Sequence, residues 1–383
     1  MHIFLSAGEP SGDLHGANLI RALQERDPEA RIVGFGGERM QAAGGNLLFV
    51  LTHLAVMWFK DVIANLRQFV RLGKQAEAYF QNEKPDAVVL IDFPGFHFAL
   101  AKRAHAAGIP VFFFVPPQLW GWAGWRVKKV RKWFAGVLTA LPFEEEWYRS
   151  RGVATHYVGH PYFDELGCQK LDASFLAEQR AKPGVIVAVL PGSRNQEVAG
   201  NFPQMLLAMR RIHAQRPDVR FLVASFKETQ RAAAEATARE FQLPIEFHVG
   251  RTPEIIELAE SCISVSGSVS LEMLYRLKPT VIVYKVGRVF RVLAGILMRS
   301  KYITLVNLLA DAPLFPEIYG YSDRSQEVAS EILAWLNDPE CKAKRVEELH
   351  QLRDKVAQPG ACERAADFLL NVIRESRAVR KAA

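Results

Sequence analysis

The sequence lacks the signatures of several common protein classes. Its 383 residues hold four cysteines, at 168, 262, 341 and 362, without a C-x-x-C pair or other metal-ligand spacing. They are expected to be free thiols of a reducing compartment. No apolar run approaches the ~18–20 residues that a membrane span needs. The start MHIFLS enters a predicted strand with neither a basic region nor a signal cleavage site, so a cytoplasmic protein is expected.

The composition is that of an ordinary globular protein. Hydrophobic residues make up 49% and charged residues 23% of the chain, and the net charge is +7. That charge is small for the length, so no nucleic-acid partner is expected, whereas an anionic ligand or membrane surface is compatible with it. At 383 residues the chain is long enough for two domains.

Short apolar runs alternate with amphipathic stretches in both halves of the chain. The runs predict strands at 2–6, 31–35, 86–92, 110–115 and 136–140, and then at 185–190, 219–224, 245–249, 262–265 and 280–284. Helical spacing falls between them, at 11–25, 58–82, 96–107 and 142–150 in the first half. This alternation predicts an α/β protein with two doubly wound parallel sheets.

A polar stretch near the middle sets the expected domain boundaries. Residues 164–184 lack strand character, so the linker is expected there. The domains are predicted at 1–165 and 183–357. The chain ends in a charged helical tail that is broken at Pro359-Gly360, and residues 358–383 are predicted to form a C-terminal helix packing back on the first domain.

Three predicted strands lead through a loop of small residues into a helix. Helix starts attract anions, and small residues let the backbone approach a phosphate closely. An ordinary turn explains one loop alone equally well, but two loops that each open a domain favour a ligand cleft between the domains. Neither of these two loops is G-x-G-x-x-G or G-x-x-x-x-G-K-[ST], which disfavours a dehydrogenase or a P-loop enzyme. The candidate binding residues are Gly8, Glu9, Ser11 and Gly12, then Gly192, Ser193 and Arg194, then Ser266, Gly267 and Ser268.

Charged side chains accompany these loops. Arg194 is a forked cation suited to phosphate, so two helix starts and one guanidinium are predicted to hold a diphosphate without a metal. Glu272 lies one turn into the helix after the third loop. It is either an acceptor for sugar hydroxyls or a partner of the helix dipole, and both alternatives stay open.

Asp92 is the candidate catalytic residue. It ends the apolar strand of PDAVVLIDFPGF, where a carboxylate is costly unless it binds a ligand or transfers a proton. The alternative is an N-cap for the following helix. His15, in the first loop, ranks below Asp92 as a base because packing explains it.

Nine stretches of the chain, between residues 6 and 310, form a recognisable series of motifs. In order they are SAGEPSGDLHGANLIRAL, VGFGGERMQAAG, LAVMWFKDV, KPDAVVLIDFPGF, LPFEEEWY, YVGHP, LPGSRNQEV, SGSVSLEML and YITLVNLLA. In their combination and order they resemble the lipid A disaccharide synthase family, inverting glycosyltransferases with two facing Rossmann-like domains of the GT-B type. The resemblance covers most of the chain.

The resemblance implies a reaction and roles for residues. The family transfers 2,3-diacylglucosamine from UDP-2,3-diacylglucosamine to 2,3-diacylglucosamine 1-phosphate, which makes a β-1,6 disaccharide and releases UDP, without a cofactor. Arg194 and the helix starts would hold the UDP diphosphate, while Glu272 and Asn307 match positions at the nucleotide-sugar site. Asp92 would take the proton from the acceptor's 6-hydroxyl, as an aspartate of ordinary pKa. A homodimer is an open alternative to a monomer.

Departures from the family pattern cluster on the acceptor side. Where the family has Asp-x-Pro-Asp-Phe-Asn, this chain has Gly95 and His97 in place of the second aspartate and the asparagine. The chain also differs from the family pattern at 116–122, where it has PPQLWGW, at Val306 before Asn307, and at Gly320. Three alternatives therefore stay open: a relative with another acceptor, a UDP-sugar 2-epimerase, and a non-catalytic binder of nucleotide sugars or acidic lipids.

Three stretches combine aromatic or apolar residues with basic charge, as an anionic membrane surface would require. They lie at 54–70, 119–134 and 288–301, and the second interleaves four tryptophans with five arginines and lysines. For one stretch alone, a packed helix with a solvated basic face is the commoner explanation. Together they predict peripheral membrane attachment, and the family resemblance implies the inner face of the bacterial inner membrane.

Overall fold

The structure is a computed structural model, and it describes residues 1–55, 66–285, 301–320 and 322–382. The chain divides into two compact units. Unit 1 comprises Met1–Glu165 and Gln358–Ala383, and unit 2 comprises Leu166–Ala357.

Each unit contains one parallel sheet. Seven strands of unit 1 lie in the order β3-β2-β1-β4-β5-β6-β7, and six strands of unit 2 lie in the order β10-β9-β8-β11-β12-β13. The strands are β1 (His2–Ala7), β2 (Arg31–Gly36), β3 (Asn46–Val50), β4 (Ala87–Ile91), β5 (Val111–Phe114), β6 (Gly136–Thr139), β7 (Thr155–Tyr157), β8 (Val185–Leu190), β9 (Val219–Ser225), β10 (Ile245–Val249), β11 (Ser261–Ser264), β12 (Thr280–Lys285) and β13 (Glu317–Gly320).

Helices connect the strands and cover the sheets. In chain order the described α-helices are α1 (Pro10–Arg26), α2 (Glu38–Ala42), α3 (Thr52–Ala55), α4 (Leu66–Glu83), α5 (Pro94–Ala106), α6 (Leu119–Trp122), α7 (Val127–Trp133), α8 (Pro142–Arg149), α9 (Tyr162–Cys168), α10 (Ala173–Ala181), α11 (Asn195–Gln215), α12 (Glu228–Ala238), α13 (Thr252–Leu258), α14 (Val269–Tyr275), α15 (Leu305–Ala310), α16 (Ser325–Asn337), α17 (Pro339–Val356) and α18 (Ala361–Ala382). None of those in the described ranges is both long enough and apolar enough to cross a membrane.

The sheet of unit 1 is buried on both faces. Alternate residues of β1 point to opposite sides, so Leu5 joins one apolar cluster and Phe4 the other. The first cluster includes residues of α1 and α18, and the second includes residues of α4 and α5. Strands buried on both faces are the near-continuous apolar runs that the sequence shows.

The C-terminal helix α18 packs within unit 1. Its buried residues, such as Leu369, share one cluster with buried residues of α1, such as Leu23. Asp164 accepts hydrogen bonds from the backbone amides of Gly360, Ala361 and Cys362, at 2.7, 3.1 and 2.9 Å. This carboxylate satisfies amides at the start of α18, which fixes where the helix begins.

The predicted fold class, two parallel α/β units with a helical C terminus, is confirmed. The strands β3, β7 and β13 were not predicted. β7 and β13 contain no run of several apolar residues, whereas β3 carries the apolar run at 47–51 but is short and only partly buried. The stretch 164–184, expected to be a linker, contains most of α9 and all of α10. Its polar residues enter a buried network in unit 2: Gln179 donates to Glu246 at 2.9 Å and accepts from Arg220 at 2.7 Å.

Candidate active site

The first candidate loop and Asp92 lie side by side in unit 1. The neighbouring strands β1 and β4 are in register, with Ala7 paired to Ile91. Their carboxyl ends therefore place Gly8–Gly12 next to Asp92, at the edge of a parallel sheet where ligands bind.

The backbone around Asp92 is in a strained conformation. Asp92 and Phe93 have φ of 45° and 48°, and Val115, at the end of the neighbouring β5, has φ of 52°. The Asp92 amide donates to the Val115 carbonyl at 3.2 Å, so the strained loops are bonded to each other. Non-glycine residues rarely adopt this left-handed region, and such residues cluster at functional sites.

Gly8 is needed because of the Phe93 ring. A Cβ atom on Gly8 would lie 2.4 Å from two ring carbons of Phe93, closer than real contacts allow. At Gly12 the nearest atom would be 3.4 Å away, at the limit of an ordinary contact. Gly8 therefore lets the Asp92–Phe93 turn fold against the first loop.

Burial changes the acidity of Asp92. It raises the pKa of Asp92 to about 6, and the nearby Glu9 carboxylate contributes in the same direction, while the Phe93 amide opposes them. The expectation of an ordinary aspartate pKa is therefore wrong. A carboxylate with this pKa is a stronger base that is still largely ionised at neutral pH.

A second buried carboxylate, Glu144, was not identified from the sequence. It accepts hydrogen bonds from the Trp120 indole at 3.0 Å and from the Ala140 and Leu141 amides at 3.2 and 3.1 Å. Burial raises the pKa of Glu144 to about 7 against these donors, with a further contribution from Asp92. The LPFEEEWY motif gave the only signal, and three consecutive glutamates did not show which one is buried.

Two residues of α1 that lie close to the first loop are structural. The Asp13 carboxylate accepts from the Gly37, Arg39 and Met40 amides at 2.8, 3.1 and 3.1 Å, so it caps α2. Its neighbour His15 lies against His160, with ring centroids 5.7 Å apart, and burial lowers its pKa to about 3. This makes His15 a weak base, in agreement with its lower rank.

The second and third candidate loops lie side by side in unit 2. The strands β8 and β11 are neighbours, with Leu190 paired to Ser264. The Val265 amide donates to the Leu190 carbonyl at 3.1 Å. The chain therefore leaves both strands at one edge, with Gly192–Arg194 beside Ser266–Ser268.

The start of α11 is capped by its own glutamate. The Glu197 carboxylate accepts from the Ser193 and Arg194 amides, at 3.1 and 3.2 Å. These two amides of the helix start predicted to hold a diphosphate are therefore already bonded, because an acid three residues into a helix reaches back to its start. The Arg194 guanidinium is 3.4 Å from Glu197 and 63% exposed, so its charge remains available at this edge.

The third loop is open where a ligand would approach. A Cβ on Gly267 would meet no atom within 4 Å. Ser266 donates from Oγ to the Ile303 carbonyl at 3.3 Å, and Ser270 donates to the Gly267 carbonyl at 2.8 Å. These bonds hold the loop, while the face of Gly267 stays clear.

Glu272 and Asn307 are buried and bonded within unit 2. Glu272 is 2% exposed and forms an ion pair with Arg276 at 3.2 Å. Asn307 donates from Nδ2 to the Phe315 carbonyl at 2.7 Å and to Glu317 at 3.0 Å, and its Oδ1 accepts from the Phe315 amide at 2.8 Å. Asn307 therefore positions the segment around it. Both N–H donors of its side chain are used within unit 2, so neither is free for the expected contact with the nucleotide sugar.

The chain matches the family model described as Lipid-A-disaccharide synthetase over residues 3–372. It belongs to the lipid-A-disaccharide synthetase family. The lipid-A-disaccharide synthase of Syntrophus aciditrophicus (strain SB) is 34% identical over 376 residues, which cover 98% of each chain. That of Myxococcus xanthus (strain DK1622) is 31% identical over 381 residues, again 98% of each. The predicted resemblance is thus confirmed, and this member of the family is a glycosyltransferase of lipid A disaccharide formation.

Solved structures share the fold of this lipid-A-disaccharide synthetase family member. The UDP-GlcNAc 2-epimerase from Neisseria meningitidis bound to UDP-GlcNAc has a TM-score of 0.64 and 12% identity, covering 98% of this chain and 100% of that one. The S. aureus MnaA-UDP co-structure has a TM-score of 0.68 and 14% identity, with 97% of each chain covered. The calicheamicin glycosyltransferase CalG4 has a TM-score of 0.61 and 15% identity, with 98% of each chain covered. Such low identities establish the GT-B fold alone.

No group of three or more His, Cys, Asp or Glu side chains suited to a metal ion occurs in the part of the chain that the structure describes. Two of the stretches predicted to contact a membrane, 54–70 and 288–301, fall largely outside the described residues. Glu317, which sequence reasoning also missed, accepts from the Ile303 and Thr304 amides as well as from Asn307.

Gly8 and Gly267 are expected to respond differently to the same substitution. Gly8→Ala drives a methyl group into the Phe93 ring and should lower both the unfolding temperature and turnover, because the Asp92 turn must shift. Gly267→Ala meets open space and should leave the unfolding temperature unchanged while weakening UDP binding. Calorimetry of both variants with and without UDP measures the difference. Equal destabilisation would contradict it.

Proposed function

We propose that this chain transfers 2,3-diacylglucosamine from UDP-2,3-diacylglucosamine to the 6-hydroxyl of 2,3-diacylglucosamine 1-phosphate. The observation that carries this proposal is Asp92, a carboxylate of raised pKa on a strained turn beside the Gly8–Gly12 loop. Family membership supports the same substrates, since the named relatives are lipid-A-disaccharide synthases.

The proposed reaction is a single displacement with inversion. Asp92 accepts the proton of the acceptor's 6-hydroxyl as that oxygen bonds to C1 of the donor sugar and the C1–O bond to UDP breaks. Negative charge grows on the diphosphate as it leaves, and the exposed Arg194 guanidinium offsets it. Ser193, Ser266, Gly267 and Ser268 are proposed to line the diphosphate site, and Glu272 to orient the sugar through Arg276.

Product analysis tests the proposed reaction. The chain is incubated with UDP-2,3-diacylglucosamine and 2,3-diacylglucosamine 1-phosphate, and mass spectrometry is expected to find equimolar disaccharide and UDP. Other acylated sugar acceptors are tested in parallel. If this chain uses a different acceptor from the family, the departures at Gly95 and His97 are where that difference is expected to arise. Turnover of UDP-N-acetylglucosamine without acceptor would instead favour an epimerase, and the absence of any turnover would favour a binder.

We also propose that the segment 119–134 attaches the enzyme to an anionic membrane. Trp122 and Trp125 are 47% and 62% exposed, and the Arg126 guanidinium lies over the Trp122 ring at 5.1 Å. Four exposed basic residues follow on and beside α7, namely Lys128, Lys129, Arg131 and Lys132. Exposed indoles next to cations suit the membrane interface, where each basic residue contributes ~1 kcal/mol.

The attachment proposal predicts salt-sensitive vesicle binding. The chain should sediment with vesicles rich in phosphatidylglycerol at low salt, and it should be released at about 1 M salt because screening is then nearly complete. Trp122→Ala/Trp125→Ala should weaken binding without changing turnover of a short-chain, water-soluble substrate pair. Phosphatidylcholine vesicles are the control, and equal binding to both lipids would contradict the proposal. The homodimer stays a prediction that analytical ultracentrifugation tests.

The pKa of Asp92 predicts an acid limb in the pH profile. A general base works only when ionised, so kcat/KM should fall about tenfold per pH unit below pH ~6. Glu9→Gln removes the neighbouring charge that helps to raise this pKa, so it should move the limb to lower pH. His97 does not titrate in this range, because burial lowers its pKa to about 4. A profile that stays flat down to pH 5 would remove Asp92 as the base.

A further inference from the structure

A fully buried histidine connects the Asp92 turn to strand β1. His97, on the first turn of α5, is 0% exposed. Its Nδ1 is 2.7 Å from the backbone carbonyl oxygen of Asp92, and its Nε2 is 2.9 Å from the hydroxyl of Ser6. Ser6 is itself fully buried in β1, one residue before the end of the strand.

The partners determine which nitrogen carries the proton. A carbonyl oxygen only accepts, so Nδ1 must donate to Asp92. Burial lowers the pKa of His97 to about 4, so the ring is neutral at physiological pH and Nε2 has no proton. The Ser6 hydroxyl must therefore donate to Nε2. The result is a directed chain from the Ser6 hydroxyl through the ring to the Asp92 carbonyl.

The Asp92 turn needs such support because its backbone is strained. Asp92 and Phe93 both have positive φ, a conformation that non-glycine residues keep only when their surroundings hold it. The Asp92 amide is held by Val115, and the Asp92 carbonyl is held by His97. Both polar groups of the Asp92 backbone are thus tied down, which fixes the direction in which its carboxylate leaves the turn.

We propose that His97, oriented by Ser6, is a positioning residue that aims the Asp92 carboxylate through a hydrogen bond to the Asp92 carbonyl. This inference rests on the proposed role of Asp92 as the base. An asparagine amide and the histidine Nδ1 are both reached through Cβ and Cγ, so either residue can present a donor to the same carbonyl.

Replacing His97 by asparagine or by glutamine tests its two hydrogen bonds one at a time. His97→Asn keeps a donor at the place of Nδ1 and loses the contact with Ser6. His97→Gln reaches as far as Nε2, so it keeps the contact with Ser6 and loses the donor to Asp92. We expect kcat of His97→Gln to fall roughly ten- to hundredfold with an unchanged KM for the donor, since misplacing a catalytic group by about 1 Å has effects of this size. His97→Asn should keep kcat close to that of the parent.

Matched controls separate positioning from general damage. His105→Gln makes the same change on the exposed face of the same helix and should alter nothing. In the Asp92→Asn background, His97→Gln should lower the residual turnover no further, because the carboxylate that it aims is gone. A purely structural role would instead lower UDP binding and the unfolding temperature in both backgrounds.

The outcomes distinguish this inference from the proposed function. Full turnover in Asp92→Asn would overturn the role of Asp92 itself. An inactive Asp92→Asn with a fully active His97→Gln would overturn only the positioning role. If the His97 variants do not fold, ¹⁵N NMR of the parent decides. We expect a protonated Nδ1 and a bare Nε2 in His97, and the opposite tautomer would overturn the inference.

Discussion

Asp92→Asn is expected to abolish most turnover while making the protein more stable. General-base catalysis contributes about 10²–10⁴-fold, and an amide cannot accept the acceptor's proton. Turnover should therefore fall by that factor, with UDP affinity unchanged, because the Arg194 edge belongs to the other unit. Initial rates and calorimetric UDP titration measure the two effects, and retained turnover would contradict the assignment.

The expected gain in stability follows from the sign of the pKa shift. The pKa of Asp92 is raised to about 6 in the folded state. The protonated side chain therefore contributes its full stabilisation at pH values below the pKa of the unfolded chain, and this contribution is lost as pH rises through about 6. At neutral pH the native state thus holds a buried charge next to Glu9. The neutral amide removes that cost, which is at most about 3 kcal/mol by linkage. The unfolding temperature of Asp92→Asn should exceed that of the parent at pH 8 and approach it near pH 4.

Arg194→Gln is expected to lower UDP affinity roughly ten- to hundredfold, because charged hydrogen bonds contribute about 1.5–3 kcal/mol. The guanidinium is free to serve an anion. It is mostly exposed and its pairing with Glu197 at 3.4 Å is of the weak surface kind. With the arginine gone, the Glu197 carboxylate at the same loop would also repel a diphosphate.

The control for Arg194 is Arg180→Gln, which removes an exposed arginine elsewhere on unit 2. Its UDP affinity should equal that of the parent at every salt concentration. The parent should bind UDP less tightly as salt is raised, and Arg194→Gln should lose most of that dependence. Unchanged affinity in Arg194→Gln would show that UDP is held elsewhere.

The sequence predicts the edges of the sheets well, because strand ends depend on local patterns. Asp92 after an apolar run and Arg194 after Pro191-Gly192 both lie where expected. Side-chain partners depend on contacts across the chain, which periodicity does not contain. Asn307 is saturated by Phe315 and Glu317, and no spacing rule links those positions.

The same limit explains only the first of two errors in the electrostatics. The pKa of Asp92 depends on burial and on Glu9, which is 83 positions away in the sequence but follows the neighbouring strand end. The capping of α11 by Glu197 was readable from its position in the first turn, three residues after Arg194. An acid at this position competes with an external anion for the amides of the helix start.

The two-part composition of unit 1 affects the order in which the polypeptide can fold during its synthesis. Unit 2 is one continuous segment, whereas unit 1 needs the residues after Gln358. The surface of α1 that surrounds Leu23 has no cover from Leu369 until the last part of the chain has left the ribosome. Translation therefore completes the unit that carries Asp92 after unit 2, although strand β1 is made before any part of unit 2.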